Sequence, residues 1–406
     1  MANTLKFGNG EWYGSEGNIL AYNDENGNFK PLPFDFSRGS SATRVNQQGL
    51  IETVGANDAR VDYKDNANGA LLLEPQRTNS LLQSNQFDTT WTLSSSIDIT
   101  SGHSGVGGSN NAWLLKRNST GSRYVQQSLS LSSAQYSYSV YLKAESTNWA
   151  FFWSYDGSES VNAYIDLENG VVGNTAGSNL NNVSIESVGN GWYRVTLIYT
   201  QGTNLVRIYP AYSNGSVSIG TDNGIYIQHA QLEVGSYETS IINTQGAAQT
   251  RLAETCSQDV SQVITSGQGT IYCETTKWVT SNNGRFVALS DNSSNNYVII
   301  IQNVNHSNFA VYITFGGVAQ VAYVPTNSIK NKSKIAVGYI NNNVAVSVNG
   351  TIVHTDTNAT IPNNISNLRI GSRENTSLTF YSSNPIADVK IYNERLDNNS
   401  LNNLTQ

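Results

Sequence analysis

Hydrophobic and polar residues alternate with a period of two along most of this chain. In Tyr136–Lys143 the side chains of Tyr136, Tyr138, Val140 and Leu142 fall on one face, and Ser137, Ser139, Tyr141 and Lys143 on the other. That is the pattern of a half-buried strand. Gly191–Thr200, Leu205–Tyr212 and Gly224–Val234 alternate in the same way, separated by Asn-Gly and Asp-Asn-Gly turns. Further strands are predicted at Thr270–Val279, Arg285–Ser290, Asn296–Asn303, Asn308–Gly316 and Lys334–Ile340. In Val344–His354 two β-branched runs flank Asn349-Gly350, the preferred pair for a two-residue type I′ hairpin. Near the C-terminus Asp397 is placed to cap one short helical turn that tucks Leu401 and Leu404 against a sheet. The fold class predicted is all-β: two antiparallel sandwiches, a jelly roll over 83–250 and a second sandwich over 251–406.

Residues 1–82 break the pattern. The stretch Phe34–Leu82 has no helical period and no long apolar face. It spaces Arg38, Arg44, Arg60, Glu74 and Arg77 among short apolar runs. It reads as a strap that docks on something else. Arg38, Arg44 and Arg77, with Phe34 and Phe36, are candidates for contacts to another subunit or particle, since guanidinium groups fork to carboxylates and carbonyls. The alternative is internal pairing with Glu52 and Glu74, which would hold the strap to its own jelly roll.

Composition supports the strand reading. Charged residues are 13% of the 406, and the chain carries 34 Gly and 22 Tyr, a balance suited to strands and turns. The formal net charge is −7, and no Lys/Arg cluster tracks a phosphate backbone, which argues against nucleic-acid binding. No apolar run approaches the roughly 20 residues of a membrane helix, and no secretory signal is visible at the N-terminus. Cys256 and Cys273 are read as two buried thiols, with a disulfide as the alternative.

Little in the chain points to chemistry. A glycoside hydrolase needs two carboxylates across one bond, yet neither Glu-x-Asp-x-Glu nor Glu-x-Asp-x-x-Glu occurs. Asp156/Glu159, Asp166/Glu168 and Glu233/Glu238 sit beside turns. His103, His229, His306 and His354 lack zinc-binding neighbours. Asp24, Asn26 and Asn28 alternate like calcium ligands, but Gly27 is misplaced and no glutamate closes the loop, so the segment reads as a turn. No metal and no cofactor are expected. Sugar binding asks for less: aromatic rings with a few polar groups. Trp149, Trp153 and Tyr155 are candidates, as are Tyr209, Tyr212 and Trp278. Each has a competing assignment to the sandwich core.

The strap also carries a resemblance. FDFSRGSSATRVNQQGLIETV, ARVDY and LLLEPQRTN (within Phe34–Asn79) resemble a segment of tailed-phage virion appendage proteins, the head fibres, head spikes and tail-fibre-like proteins. GNGWYRVTL and AQLEVGSYETSIINT are similar to strands of the carbohydrate-binding-like jelly roll that follows in such proteins. Ile386–Leu404 resembles the closing strand and turn of a concanavalin A-like (laminin-G-like) sandwich. The resemblance implies a non-enzymatic virion component assembled in the host cytoplasm. It would be attached through residues 1–82 to capsid or tail proteins, homotrimeric, and able to bind host-surface polysaccharide. A cellular or prophage-derived lectin is the alternative, and a polysaccharide depolymerase a more distant one.

Overall fold

The computed structural model describes residues 4–8, 13–15, 18–23, 30–218, 220–262, 264, 267–276, 284–303, 308–326, 332–372 and 384–406. Trp278 and the segment Asp24–Asn28 lie outside them. Among the described residues, apart from the helix Asn398–Leu404 and a short 3-10 turn at Val106–Gly108, the regular elements are strands, and their pairings are antiparallel.

The chain divides into two compact units, but not at the boundaries the sequence suggests. One comprises residues 1–76 and 252–406; the other is the segment Arg77–Arg251 set between them. The strap is therefore no separate element. Most of it belongs to the C-terminal sandwich, and the jelly roll is an insertion.

The split unit is a sandwich of two sheets. One runs Thr4–Gly8, Ile386–Tyr392, Gln268–Thr275, Ser333–Ile340, Asn343–Val348 and Thr351–Asp356 in spatial order, extended beyond Thr4–Gly8 by the strands Tyr13–Ser15 and Asn18–Asn23. The other runs from Val318–Tyr323 through Asn308–Phe315, Tyr297–Asn303, Arg285–Ser290, Asn367–Ile370 and Thr255–Asp259 to Asp35–Ser37. Ile271, Val337 and Val389 of the first meet Val287, Ile300 and Val311 of the second in one core. The hairpin at Asn349-Gly350 forms as predicted. Both residues have positive φ (46° and 84°), and Val348 faces Thr351 across the turn. The Asp397 carboxylate accepts from the Ser400 amide at 2.8 Å, and Leu401 is buried.

Four buried charges fasten the strap into this unit. Phe34 and Phe36 enter its core, and Asp35–Ser37 pairs with Thr255–Ser257. Arg38 donates through Nη1 to Glu254 Oε1 at 2.7 Å and through Nε to the Ser40 carbonyl at 2.7 Å. Arg60 donates through Nε to the same Oε1 at 2.8 Å, through Nη2 to Glu254 Oε2, and through Nη1 to Glu74 Oε2 at 2.9 Å. The Glu74 amide completes the ring on Glu254 Oε2 at 2.8 Å. Two guanidinium groups against two carboxylates balance in charge. They hold the strap to the strand that begins at Thr255. The coulombic pull of Glu254 and Glu74 outweighs burial and keeps the Arg60 guanidinium even harder to deprotonate than usual.

The docking role expected of Phe34, Phe36 and Arg38 therefore has no surface to act from, because their partners lie inside their own unit. Arg44 pairs with Glu52 at 2.7 Å on the surface, one of the two internal pairings considered. Arg38 pairs with Glu254 instead, so the strap is held by the C-terminal sandwich and not by the jelly roll.

Cys256 and Cys273 are free and fully buried on opposite sheets of that core. Burial pushes both thiols well above the usual thiol range. A thiol-specific reagent should leave both unmodified in the native protein and label two per chain after denaturation. Rapid labelling of the native form would contradict their burial.

The inserted unit begins where Arg77–Asn79 pairs with Gln249–Arg251. Arg77 lies 5.1 Å over the Tyr237 ring. Asn79 is buried; it donates to the Ile242 carbonyl at 2.9 Å and accepts from the Leu232 amide at 3.0 Å. Two twenty-residue strands, Val125–Ala144 and Trp192–Ala211, run through the unit. The second joins segments that the sequence suggests are separate strands. Their register shifts near Leu131 and Ala134, where both pass from one layer of the sandwich to the other. On one side of that corner Tyr136–Leu142 pairs with Gly224–Val234, and on the other Leu205–Ala211 pairs with Trp149–Tyr155. The two layers share one core, in which Tyr138 of one stacks on Phe152 of the other with centroids 4.0 Å apart. Tyr136, Tyr138, Val140 and Leu142 all point into it, as their spacing predicts.

Candidate functional site

Trp149–Tyr155 is the segment whose two faces the sequence could not rank. Ala150, Phe152 and Ser154 are the buried side, while Trp149, Phe151, Trp153 and Tyr155 are half-buried on the opposite, outer side. These aromatics are therefore not the sandwich core. The strand lies between Trp192–Ala211 and Ser160–Asp166, with Phe151 opposite Tyr209 and Tyr164, and Trp153 opposite Arg207 and Asn162. Because opposed residues share a face, the register lays out two adjoining rows. One holds Tyr209, Phe151 and Tyr164. The other holds Gln126, Arg207, Trp153 and Asn162.

The rings touch. Phe151 lies 4.5 Å from Tyr164 and 5.1 Å from Tyr209, centroid to centroid, and Tyr209 lies 5.1 Å from Tyr124. Tyr209 is the buried floor of this carpet. Burial raises its hydroxyl above the ordinary tyrosine range. Trp153 and Tyr155 are stacked at 5.4 Å with planes 10° apart. The Arg207 guanidinium lies 4.0 Å over Tyr124 and 4.5 Å over Trp153. It donates to Gln126 Oε1 at 2.8 Å and to the Tyr209 hydroxyl at 3.2 Å.

Trp149 sits at the end of the face. A Cβ at Gly173 would lie 2.7 Å from both the Trp149 ring and Asn214 Oδ1, so only glycine allows this ring position. Asn214 accepts from the Asn174 backbone amide at 2.8 Å and donates to the Asn174 side-chain oxygen at 3.3 Å, so the two carboxamides are paired with each other. Tyr212, half exposed, lies just beyond the end of its strand.

Carboxylates near the face are occupied in turns. Asp156 accepts from the Ser158 and Glu159 amides at 2.8 and 2.7 Å, which hold it below the usual carboxylate range. Asp166 accepts from Asn169 and Glu168; these bonds outweigh a desolvation that by itself would raise it. Glu233 is buried and accepts from the Thr239 amide at 3.0 Å. Among the described residues no group of three or more His, Cys, Asp or Glu is arranged to hold a metal ion.

A concavity that no sequence pattern signals lies elsewhere in this unit. A cleft of about 490 Å³ in the inserted unit is lined by carboxamides, including Gln83, Asn85 and Asn111, together with Trp113 and His229. His229 sits at a bulge with φ of 47°. Its neighbour Gln228 must accept from the Val106 amide through Oε1, at 2.7 Å. The Gln228 amide nitrogen therefore faces Asn111 Oδ1, Ser109 Oγ and His229 Nε2, the last at 3.1 Å. His229 Nδ1 has no hydrogen-bond partner. A lone histidine in an otherwise ordinary strand pattern carries no signal of such an arrangement.

No model of a known protein family matches the chain, and no curated protein matches it in sequence. Solved structures do resemble it, distantly. The sialidase CBM40 of Ruminococcus gnavus is 13% identical, with 37% of this chain and 93% of that one covered and a TM-score of 0.31. Mouse laminin α1 domains LG4-5 are 9% identical over 77% of this chain and 91% of that one, with a TM-score of 0.25. Trypanosoma rangeli sialidase is 10% identical over 95% and 80%, with a TM-score of 0.29. Likenesses of this size fix neither ligand nor chemistry.

Proposed function

We propose that this chain is a non-enzymatic structural appendage of a tailed-phage particle whose inserted unit binds glycans. The outer aromatic face carries the glycan reading. Rings on the solvent side of a sheet, bordered by Asn162, Asn174, Asn214 and Gln126, offer apolar surface to sugar C–H groups and amides to sugar hydroxyls. The resemblance of Phe34–Asn79 to virion appendage proteins supports the particle assignment, and repeated copies would turn weak sugar contacts into avidity. The split unit serves as the carrier.

On a glycan array the full chain should be retained by at least one polysaccharide. Trp149→Ala should weaken that retention about tenfold or more while shifting the melting temperature by only a few degrees. Unchanged retention in the variant would remove the aromatic face from the reading, and new reducing ends would replace binding with hydrolysis. Gold-labelled antibody against the chain should decorate intact phage particles; label confined to host cells would favour a cellular lectin.

A further inference from the structure

Arg207 is the only charged side chain in the two central rows of the aromatic face, and it is held rigid without a carboxylate partner. Its Nε is engaged by Gln126 and one contact of Nη1 by the Tyr209 hydroxyl, both neutral. No ion pair to Arg207 forms among the described residues. The buried arginines Arg38 and Arg60 of the split unit, by contrast, are matched to Glu254 and Glu74. The nearby Asp156 and Asp166 are directed into their own turns. A guanidinium fixed between two rings has lost little-used freedom in advance, so an incoming anion meets a preorganised donor. The end of the fork, Nη1 with Nη2, suits a planar two-oxygen acceptor lying in the guanidinium plane. The ring centroids of Tyr124 and Trp153 lie 4.0 and 4.5 Å from the guanidinium carbon and pack against that plane. A tetrahedral sulfate would project oxygens out of that plane.

We propose that the aromatic face selects a carboxylated sugar, a uronic or related acidic residue of a polysaccharide, and that Arg207 is the group that reads the carboxylate. This rests on the glycan-binding reading of the face and adds the charge of the ligand to it.

Affinity electrophoresis of the full chain separates the two claims. The probes are polygalacturonate, alginate, hyaluronan and polysialic acid, their carboxyl-methylated esters, neutral dextran and dextran sulfate. At least one free acid should bind, at least tenfold more tightly than its methyl ester, since a hydrogen-bonded charge is at stake. Arg207→Gln should bring the free acid down to the level of the ester. Arg207→Lys, which keeps the charge and loses the fork, should fall between them and guards against a folding defect in the Gln variant. Trp149→Ala should weaken acid and ester alike. Equal binding of acid and ester, a preference that survives Arg207→Gln, stronger binding of dextran sulfate, or no binding of any of the four acids would each overturn the proposal. Binding that favours neutral polymers and is lost in Trp149→Ala would overturn it while leaving the face as a glycan site.

Discussion

Glu254→Gln is expected to destabilise the split unit by roughly 3–5 kcal/mol, the usual cost of leaving buried charge uncompensated. Glu254 accepts from Arg38 Nη1, from Arg60 Nε and Nη2, and from the Glu74 amide, all without access to solvent. The amide keeps one acceptor oxygen but places an NH2 group against donors and removes one of two balancing negative charges. Equilibrium unfolding in urea would measure the loss. Hydrogen exchange would locate it, with faster exchange in residues 34–74 and 255–275 and little change in 125–144. The partly exposed pair Arg44–Glu52 serves as the contrast: Arg44→Gln should cost less than about 1 kcal/mol. If both substitutions cost the same, the buried cluster is not what fastens the strap.

The second large effect concerns acid. Burial, reinforced by Arg194, pushes the His229 imidazole down to about 4, whereas in the unfolded chain it titrates at the ordinary value near 6.5. Between those values the unfolded chain takes up a proton that the folded chain refuses. The stability this histidine contributes is therefore complete above about pH 6.5 and declines as pH falls toward 4. The difference corresponds to on the order of 3 kcal/mol. His229→Asn removes the titration and retains a residue that tolerates positive φ. Urea midpoints at pH 7 and pH 4 should differ less in the variant than in the wild type. An unchanged difference would mean that His229 is protonated freely in the folded protein.

Much of the fold was legible because strands write their inner face at every second position. Tyr136 to Leu142, the Asn349-Gly350 turn and the Asp397 cap follow from local chemistry alone. What local pattern does not contain is the partner. Arg38, Arg60 and Glu74 stand out in the sequence, but Glu254, which explains them, lies 216, 194 and 180 residues downstream of them in an unremarkable context. The same limit governed Trp149–Tyr155. Period two separates Ala150, Phe152 and Ser154 from the aromatics but does not say which set turns inward. The facing layer decides it. Tyr136, Tyr138 and Tyr199 already fill that part of the core, Tyr138 stacks on Phe152, and the Tyr199 hydroxyl bonds Ser154 at 3.0 Å. Ala150, Phe152 and Ser154 fit that space, and the bulkier set of Trp149, Phe151, Trp153 and Tyr155 is left on the outer side. Sequence reasoning singled out these aromatics as candidates, while packing determined the direction in which they look.

The insertion of Arg77–Arg251 into the sandwich also imposes an order on synthesis. The inserted unit is contiguous, so its strands can pair as soon as they leave the ribosome. Phe34, Phe36, Leu71 and Leu73 emerge earlier, yet the sheet strands that cover them come from residue 255 onward. Throughout that interval an apolar, arginine-bearing segment waits for Glu254. The later-made strands must then close a loop spanning the whole inserted unit, a slow, long-range step. Folding yield should therefore be governed by this wait, and a chaperone that shields residues 34–74 during translation would raise it.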